Sequence, residues 1–354
     1  MTTPYSPLAG SPQPQPLPPA GRVGPTTGHA LSHLLYQKDK RRFWSEDRSA
    51  YLLYAEIAGK RVALGDPVGS EAEGHAAIRQ FLTAGGKTGR DCLFYQVGPR
   101  YAALLETHGF RAMKTGEEAT VDLLRFHTNG KDWVKLRTKI NKTERDGYRC
   151  EVALPPHAAA TLAEVRAVSD AWLGEKREKS FSVGSYSEPY VASHPIATLR
   201  SPAGELLAFV TLAAYERPEG GRRLAVDLMR YREGAPSGGM EVLFVRLLQW
   251  GQAQGYEACS LGASPLANAC EGRFWMKWVR RAARRHYNFE GLQHFKAKFR
   301  PQWEDRFLAY PGRSPLLAML HVAALVHRRG GGGRGSDIGA PAGAAAAVVQ
   351  STNS

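Results

Sequence analysis

Residues 224–230 (LAVDLMR) carry apolar side chains up to an aspartate, and an arginine follows three positions later. A loop rich in Gly, Pro and Ser at residues 234–239 then leads into an apolar run with helical spacing. A strand with a polar tip, followed by a loop and a helix, is a common setting for a binding or catalytic site in α/β proteins. Asp227 and Arg230 are therefore candidate site residues. The alternative for them is a structural ion pair.

Strand and helix patterns alternate on both sides of this stretch. Their order predicts an α/β fold in which a similar unit of mixed sheet and helices occurs twice. The predicted helices cover residues 30–38, 71–85, 101–108, 161–173, 240–254 and 274–285. The predicted strands cover residues 49–57, 61–64, 92–97, 120–124, 196–200, 206–214, 223–229 and 259–261, with a break at residues 65–69.

Length and composition support two domains between two disordered tails. The chain has 354 residues, of which 43% are hydrophobic, enough for two cores of ordinary size. Pro, Gly, Ser and Ala dominate its ends, and such segments bury too little apolar surface to become ordered. We expect a disordered Pro-rich tail at 1–29, domains at 30–152 and 153–312, an amphipathic helix at 313–329 and a disordered Gly/Ala-rich tail at 330–354.

The charge balance indicates a polyanionic partner. Lys and Arg number 47 against 33 Asp and Glu, a net charge of +14, which favours nucleic acid, an anionic membrane or both.

Four cysteines without CxxC spacing fit a reducing compartment and no metal site. No secretory signal or membrane-length apolar run is recognised. The apolar residues 315–326 predict either a buried terminal helix or a helix in a membrane interface.

The most basic stretch lies at residues 273–300, where nine cations interleave with aromatic side chains and only one acidic residue occurs. Cations neutralise phosphates and aromatic rings stack on bases. We expect most of the aromatic residues to be core. Because so few carboxylates lie nearby in sequence, Lys296, Lys298 and Arg300 are candidate phosphate ligands, and Tyr287 is a further candidate.

Two other stretches are ambiguous between a solvated surface and an anion site. Residues 132–149 carry six cations diluted by acidic residues. Residues 176–186 (KREKSFSVGSY) combine cations, hydroxyls and glycine, and such loops bind anions or cover sites. Lys179 and Ser182 are candidates there. The loop at 232–239 resembles the coenzyme A turn of GNAT acetyltransferases, but Pro236 replaces one of its small residues.

In order along residues 40–310, the chain resembles the cytosolic catalytic domain of the bacterial phosphatidylglycerol lysyltransferases, the aminoacyl-phosphatidylglycerol synthases of the multiple peptide resistance factor family. The matching stretches are ALGDP at 63–67, GEEA at 116–119, KINK at 139–142, KSFSVG at 179–184, DLMR at 227–230, LGASPL at 261–266, YNFEGL at 287–292 and FKAKFRPQW at 295–303.

The resemblance implies two tandem GNAT-like domains and transfer of an amino acid, lysine or alanine, from aminoacyl-tRNA to a hydroxyl of phosphatidylglycerol or a related lipid. It implies no cofactor and no metal, with aminoacyl-tRNA as co-substrate and an anionic phospholipid as partner. The enzyme is then expected in the cytoplasm, peripheral to the inner face of the membrane. Asp227 would orient or deprotonate the acceptor hydroxyl, and Arg230 would bind the lipid phosphate or the developing oxyanion.

Two alternatives to this function stay open from the sequence. One is a GNAT-type acyltransferase that acts on a soluble amine or peptide, which would bind acetyl-coenzyme A. The other is a non-catalytic RNA- or membrane-binding module, which would bind tRNA and liposomes without transferring an amino acid.

Overall fold

One mixed sheet of twelve strands runs through residues 26–87, 92–265, 289–312 and 314–328, which are the residues described by the computed structural model. The strands are β1 (Thr26–Thr27), β2 (Arg41–Trp44), β3 (Tyr51–Ile57), β4 (Lys60–Val68), β5 (Cys92–Val97), β6 (Arg111–Asp122), β7 (Arg149–Ala153), β8 (Ile196–Arg200), β9 (Leu206–Glu216), β10 (Arg222–Tyr231), β11 (Ala258–Pro265) and β12 (Gln302–Tyr310).

Helices cover both faces of this sheet. They are α1 (Glu71–Lys87), α2 (Pro99–Thr107), α3 (Val134–Arg145), α4 (Ala159–Leu173), α5 (Glu188–Ala192), α6 (Gly239–Ala253), α7 (Phe289–Ala297) and α8 (Pro315–Val326), with short 3-10 helices at Ser32–Tyr36 and Lys131–Trp133. A mixed sheet between helical layers makes this an α/β fold, as the alternation of patterns predicts.

The strand order shows an exchange between the two ends of the chain. The order is β2-β3-β4-β5-β12-β6-β11-β10-β9-β8-β7, with β1 beside β9. Strand β12, the last of the described strands, lies antiparallel between β5 and β6. Strand β6 in turn pairs antiparallel with β11. Strands of the first and second halves of the chain therefore alternate along β5-β12-β6-β11.

Strands β10 and β11 separate after a short parallel contact. They pair only from Arg223–Ala225 to Ala258–Ser260. Beyond that point β10 has an irregularity against β9 between Val226 and Met229, and β11 has one against β6 between Ser260 and Ala263. Bulges of this kind bend a strand and redirect its side chains. The two irregularities open a gap in the middle of the sheet.

Apolar clusters on the two faces hold the helices to the sheet. Helices α3 and α6 pack on one face of the second half, where Phe244 stacks on Phe299 and meets the edge of Phe295. The prediction that aromatic residues of the basic stretch are core is thus confirmed for Phe299, and the partly buried Phe295 packs against the same cluster. A fully buried ring such as Phe299 contributes about 1.5–3 kcal/mol through the apolar surface it removes from water.

Several predicted elements differ from the observed ones. The predicted break at 65–69 is wrong, because β4 continues to Val68 and re-pairs with Tyr51 after an irregularity. The helix predicted at 30–38 is a five-residue 3-10 turn. Strands β2, β7 and β12 were not predicted, since they are short or lack clear alternation. The predicted helix at 274–285 and nearly all of both tails lie outside the described residues.

Candidate active site

Asp227 lies in the β10 irregularity and binds three separate segments. The Tyr190 hydroxyl donates to its Oδ2 at 2.7 Å, and the Gly184 backbone N–H donates to its Oδ1 at 3.0 Å. His33 Nε2 is 3.4 Å from the same Oδ1. The side chains of His33 and Asp227 are each 6% exposed. The carboxylate therefore joins the first 3-10 helix, the loop at 176–186 and α5.

The surroundings of Asp227 keep it ionised. Burial raises the pKa of the carboxyl, but His33 and the Tyr190 hydroxyl outweigh that effect, so the pKa is lowered from its ordinary value. Burial also raises the pKa of Tyr190 well above its ordinary value, with the Asp227 charge adding to the effect. Tyr190 is accordingly a stable hydrogen-bond donor, and Asp227 is an acceptor with both oxygens occupied.

Arg230 is buried and has its own partners. Its guanidinium donates to Ser169 Oγ at 2.5 Å and to the Glu178 carboxylate at 2.8 Å. The guanidinium carbon also lies 5.0 Å from the centre of the Trp172 ring, a cation–π distance. The alternative of an Asp227–Arg230 ion pair is wrong, because the strand irregularity directs the two side chains to different partners.

The loop at 176–186 connects both residues. Glu178 meets Arg230, and Gly184 approaches Asp227 so closely that an added Cβ would overlap the carboxylate. The Phe181 N–H donates to Asp39 Oδ2 at 2.5 Å. Of the predicted residues in this loop, Ser182 is buried, and Lys179 is half-buried with its pKa lowered by burial. The structure therefore brings the loop into contact with Asp227 and Arg230 on β10, and its role as a cover of the site stays a prediction.

Lys296 occupies the gap where β10 and β11 separate. Its Nζ donates to the carbonyl oxygens of Gly262 and Ala263 at 2.8 and 2.9 Å, and the residue is 4% exposed. Burial lowers the pKa of this amine to about 7, against an opposing effect of Glu118. A lysine with such a pKa is able to give or take a proton near neutral pH.

A buried network extends from this gap to the first half of the chain. The Ser260 hydroxyl donates to Glu118 Oε1 at 2.5 Å, and Arg306 donates to Glu118 Oε2 through Nε at 2.9 Å and Nη2 at 2.6 Å. Burial raises the pKa of Glu118, but Arg306 and Ser260 outweigh it and the pKa is lowered. Arg306 also lies 3.8 Å from Asp66. The network crosses the β6–β12 pair.

A cavity of about 240 Å³ opens beyond this network. Charged side chains of both signs line it, including Asp66, Glu219 and Glu304 with Arg100 and Arg217. The N–H of Gly98, at the start of α2, donates to Asp66 Oδ1 at 2.8 Å. Because the lining carries charges of both signs, it suits a small ligand that has both an ammonium group and a carbonyl or carboxyl group.

The remaining predicted phosphate ligands have protein partners. Lys298 pairs with Glu241 at 2.8 Å and Arg300 with Asp132 at 2.8 Å. Few carboxylates lie near residues 273–300 in the sequence, as expected. The expectation that Lys298 and Arg300 are therefore not neutralised is wrong, because Glu241 and Asp132 on other elements pair with them. Tyr287 lies outside the described residues.

Sequence reasoning missed five residues of the site: His33, Glu178, Tyr190, Ser260 and Arg306. Single histidines, tyrosines and serines gave no local signal. Within the described ranges, no group of His, Cys, Asp and Glu side chains has an arrangement suited to a metal ion. Nor is any helix of those ranges long and apolar enough to cross a bilayer.

Comparison with known proteins gives concordant matches. The family model described as "Phosphatidylglycerol lysyltransferase, C-terminal" matches residues 22–310. Phosphatidylglycerol lysyltransferase of Bacillus subtilis (strain 168) is 39% identical over 308 residues, which are 84% of this chain and 35% of that protein. The enzyme of the same name from Staphylococcus aureus (strain MRSA252) is 34% identical over 80% of this chain and 34% of its own length. The chain thus spans about a third of these relatives.

Solved structures match over nearly their whole length. L-PGS from Bacillus licheniformis is 40% identical with a TM-score of 0.76, and the match covers 85% of this chain and 94% of that one. The C-terminal domain of a putative lysylphosphatidylglycerol synthetase from Agrobacterium fabrum is 34% identical with a TM-score of 0.77, covering 87% and 95%. The described fold is therefore that of these domains.

Proposed function

This chain belongs to the phosphatidylglycerol lysyltransferase C-terminal family, and we propose that it transfers an amino acid, lysine or alanine, from aminoacyl-tRNA to a hydroxyl of phosphatidylglycerol or a related membrane lipid. The observation that carries this proposal is the buried amine of Lys296, with a pKa of about 7, at the opening between β10 and β11. Acyl transfer between two oxygens needs a group that moves a proton near neutral pH.

In the proposed reaction, the lipid hydroxyl oxygen attacks the carbonyl carbon of the aminoacyl ester. A C–O bond forms to the lipid, and the proton of the hydroxyl passes to neutral Lys296 Nζ. The tetrahedral intermediate then collapses, the bond to the tRNA ribose oxygen breaks, and that oxygen receives the proton from Lys296. The ammonium formed in the middle of the sequence also stabilises the oxyanion.

Asp227 and Arg230 support this site as positioning residues in our proposal. Asp227 fixes the 176–186 loop through Gly184, and Arg230 fixes the same loop through Glu178. Their sequence-based roles, Asp227 at the acceptor hydroxyl and Arg230 at a phosphate or oxyanion, stay predictions. Each would require the present partners to be exchanged for substrate.

The charged cavity supports a place for the amino acid itself. Asp66, Glu219 and Glu304 offer carboxylates to its ammonium groups. The aminoacyl-tRNA and the anionic phospholipid are proposed partners that suit the net charge of +14. Lys179, Ser182, Lys298 and Arg300 remain proposed substrate contacts. For the phosphate contacts, Lys298 and Arg300 would have to leave Glu241 and Asp132.

We further propose that the halves at 30–152 and 153–312 are tandem GNAT-like units. Supporting this, strands β2–β5 and β8–β11 lie in consecutive order, and each series ends in a parallel pair, β4 with β5 and β10 with β11.

We place the enzyme in the cytoplasm at the inner face of the cell membrane, where both proposed substrates meet.

The test is lipid analysis after expression in a bacterial host that makes no aminoacyl-lipids. Mass spectrometry of the lipid extract should show a lysyl- or alanyl-phosphatidylglycerol mass. Lys296→Met should reduce this product at least 100-fold, and Lys131→Met, at an exposed lysine outside the proposed site, serves as the matched loss of one amine. A folded chain that yields no new lipid but binds acetyl-coenzyme A in calorimetry, or that binds tRNA and liposomes without transfer, would refute the proposal.

A further inference from the structure

The outer face of α8 is apolar and uncovered by the described residues. Ala318, Val322 and Leu325 are buried on its inner face. Three leucines of the outer face, Leu316, Leu317 and Leu320, are 47%, 58% and 55% exposed. A helix on a protein surface normally turns polar side chains outward, but residues 315–326 contain no Asp, Glu, Lys or Arg. An exposed apolar face of this kind indicates an interaction site.

The charges around α8 match an anionic partner. No Asp or Glu occurs from residue 306 to residue 336, whereas Arg313 precedes the helix and Arg328 and Arg329 follow it. Arg328 is exposed, and one of its guanidinium nitrogens donates to the Glu56 carbonyl at 3.1 Å. Arginines at both ends of an apolar helix suit a bilayer, because their stems lie along acyl chains while their charges reach phosphates.

We propose that the outer face of α8 docks on an anionic phospholipid bilayer, with the helix in the plane of the membrane. Its 12 residues extend about 18 Å, well short of the ~30 Å hydrocarbon core, so it lies in the interface and does not span it. A second copy of the chain is a poorer occupant, since three half-exposed leucines offer far less than the ~1,200 Å² of a stable interface.

The docking face is tied directly to the candidate active site. The Ser180 hydroxyl donates to the carbonyls of Leu325 at 3.0 Å and Arg328 at 3.2 Å, and the Ser180 N–H donates to Val326. Four residues later, Gly184 donates to Asp227. The 176–186 loop thus links the C-terminal end of α8 to Asp227 in the β10 irregularity. Helix α8 lies beyond residues 22–310, where the family model matches.

The experiment compares the full chain with the variant L316Q/L317Q/L320Q in vesicle flotation. Vesicles of phosphatidylglycerol and phosphatidylcholine at equal amounts are compared with pure phosphatidylcholine vesicles. We expect the wild type to bind the anionic vesicles and the triple variant to bind them at least tenfold less. The matched control is L124Q/V134Q, which removes exposed apolar side chains on other elements. It should bind as the wild type does.

Three outcomes would overturn the inference: no binding by the wild type, equal binding by the triple variant, or a wild-type dimer that the triple variant converts to monomer. The inference rests on the proposed function only in taking phosphatidylglycerol as the lipid that accepts the amino acid. A second assay therefore separates the two. Transfer to vesicle phosphatidylglycerol should fall at least tenfold relative to transfer to water-soluble dihexanoyl-phosphatidylglycerol in the triple variant. Helix-dependent vesicle binding without transfer to either lipid would refute the proposed function alone.

Discussion

Replacing Lys296 by methionine should remove a pH dependence from the stability of the fold. Burial lowers the pKa of the Lys296 amine to about 7 in the folded protein, from 10.5 for an exposed lysine. Between these values the unfolded chain binds a proton that the folded protein does not. The free energy of unfolding therefore rises with pH across this window and falls as the pH drops towards 7. Methionine has a similar length and no charge, so the variant lacks this linkage.

The size of the effect follows from the two pKa values. Linkage predicts that Lys296 lowers the free energy of unfolding by about 4 kcal/mol at pH 7 and by about 2 kcal/mol at pH 9. Losing the donor to the Gly262 and Ala263 carbonyls destabilises the variant by roughly 1–3 kcal/mol for each carbonyl left unpaired. That loss is independent of pH. The change of about 2 kcal/mol between pH 7 and pH 9 isolates the buried amine.

Urea unfolding followed by tryptophan fluorescence at the two pH values measures this change. Lys298→Met is the matched control, because its side chain is 45% exposed, and we expect it to keep the wild-type slope. In Lys296→Met the free energy of unfolding should rise by about 2 kcal/mol less than in the wild type. An identical rise in Lys296→Met and wild type would refute the assignment of a neutral buried amine, and with it the proposed proton transfer.

Three further predictions concern the loop at 176–186. Gly184→Ala places a methyl group on the Asp227 carboxylate and should lower transfer to phosphatidylglycerol at least tenfold; unchanged transfer would show that the close approach is dispensable. Asp227→Asn, which keeps the size but loses the charge, should lower transfer about 100-fold with circular dichroism unchanged. Unchanged transfer would show that the carboxylate contributes only packing. Glu178→Gln leaves the buried Arg230 guanidinium without its anion; because Glu178 is 31% exposed, the free energy of unfolding should fall by roughly 1–3 kcal/mol, whereas Glu188→Gln in an exposed pair should leave it nearly unchanged.

The elements predicted best from sequence are those whose pattern is local. The strand at 92–97 was predicted with the observed bounds, and the helix predicted at 313–329 spans Pro315–Val326, since a largely apolar run marks each one. Strand β12 was not predicted, because pairing with β5 and β6 holds it extended, and both of these strands are distant from it in the sequence. Pairing with remote strands leaves little mark on the local pattern.

For the site as well, local patterns indicated some residues, whereas contacts between distant parts of the chain could not be predicted. Asp227 and Arg230 were proposed from a motif, and the structure brings them together through one loop, whereas Lys296 was predicted only as a phosphate ligand of the basic stretch. Their partners could not be read from the sequence, because His33 is a single histidine and nothing in the 176–186 stretch indicates that Glu178 pairs with Arg230. Electrostatic reasoning along the sequence failed for Lys298 for the same reason, since Glu241 neutralises it from another element.

The central position of β12 also bears on how the protein is made. Pairing of Phe94 with Ala309 joins two strands that lie far apart in the sequence. Until the ribosome releases β12, β5 and β6 each present an open edge able to pair with other chains. Folding of the first half must therefore wait until β12 has been made, and contacts so distant in sequence form slowly. A nascent chain cut off before residue 302 would be a substrate for chaperones and proteases.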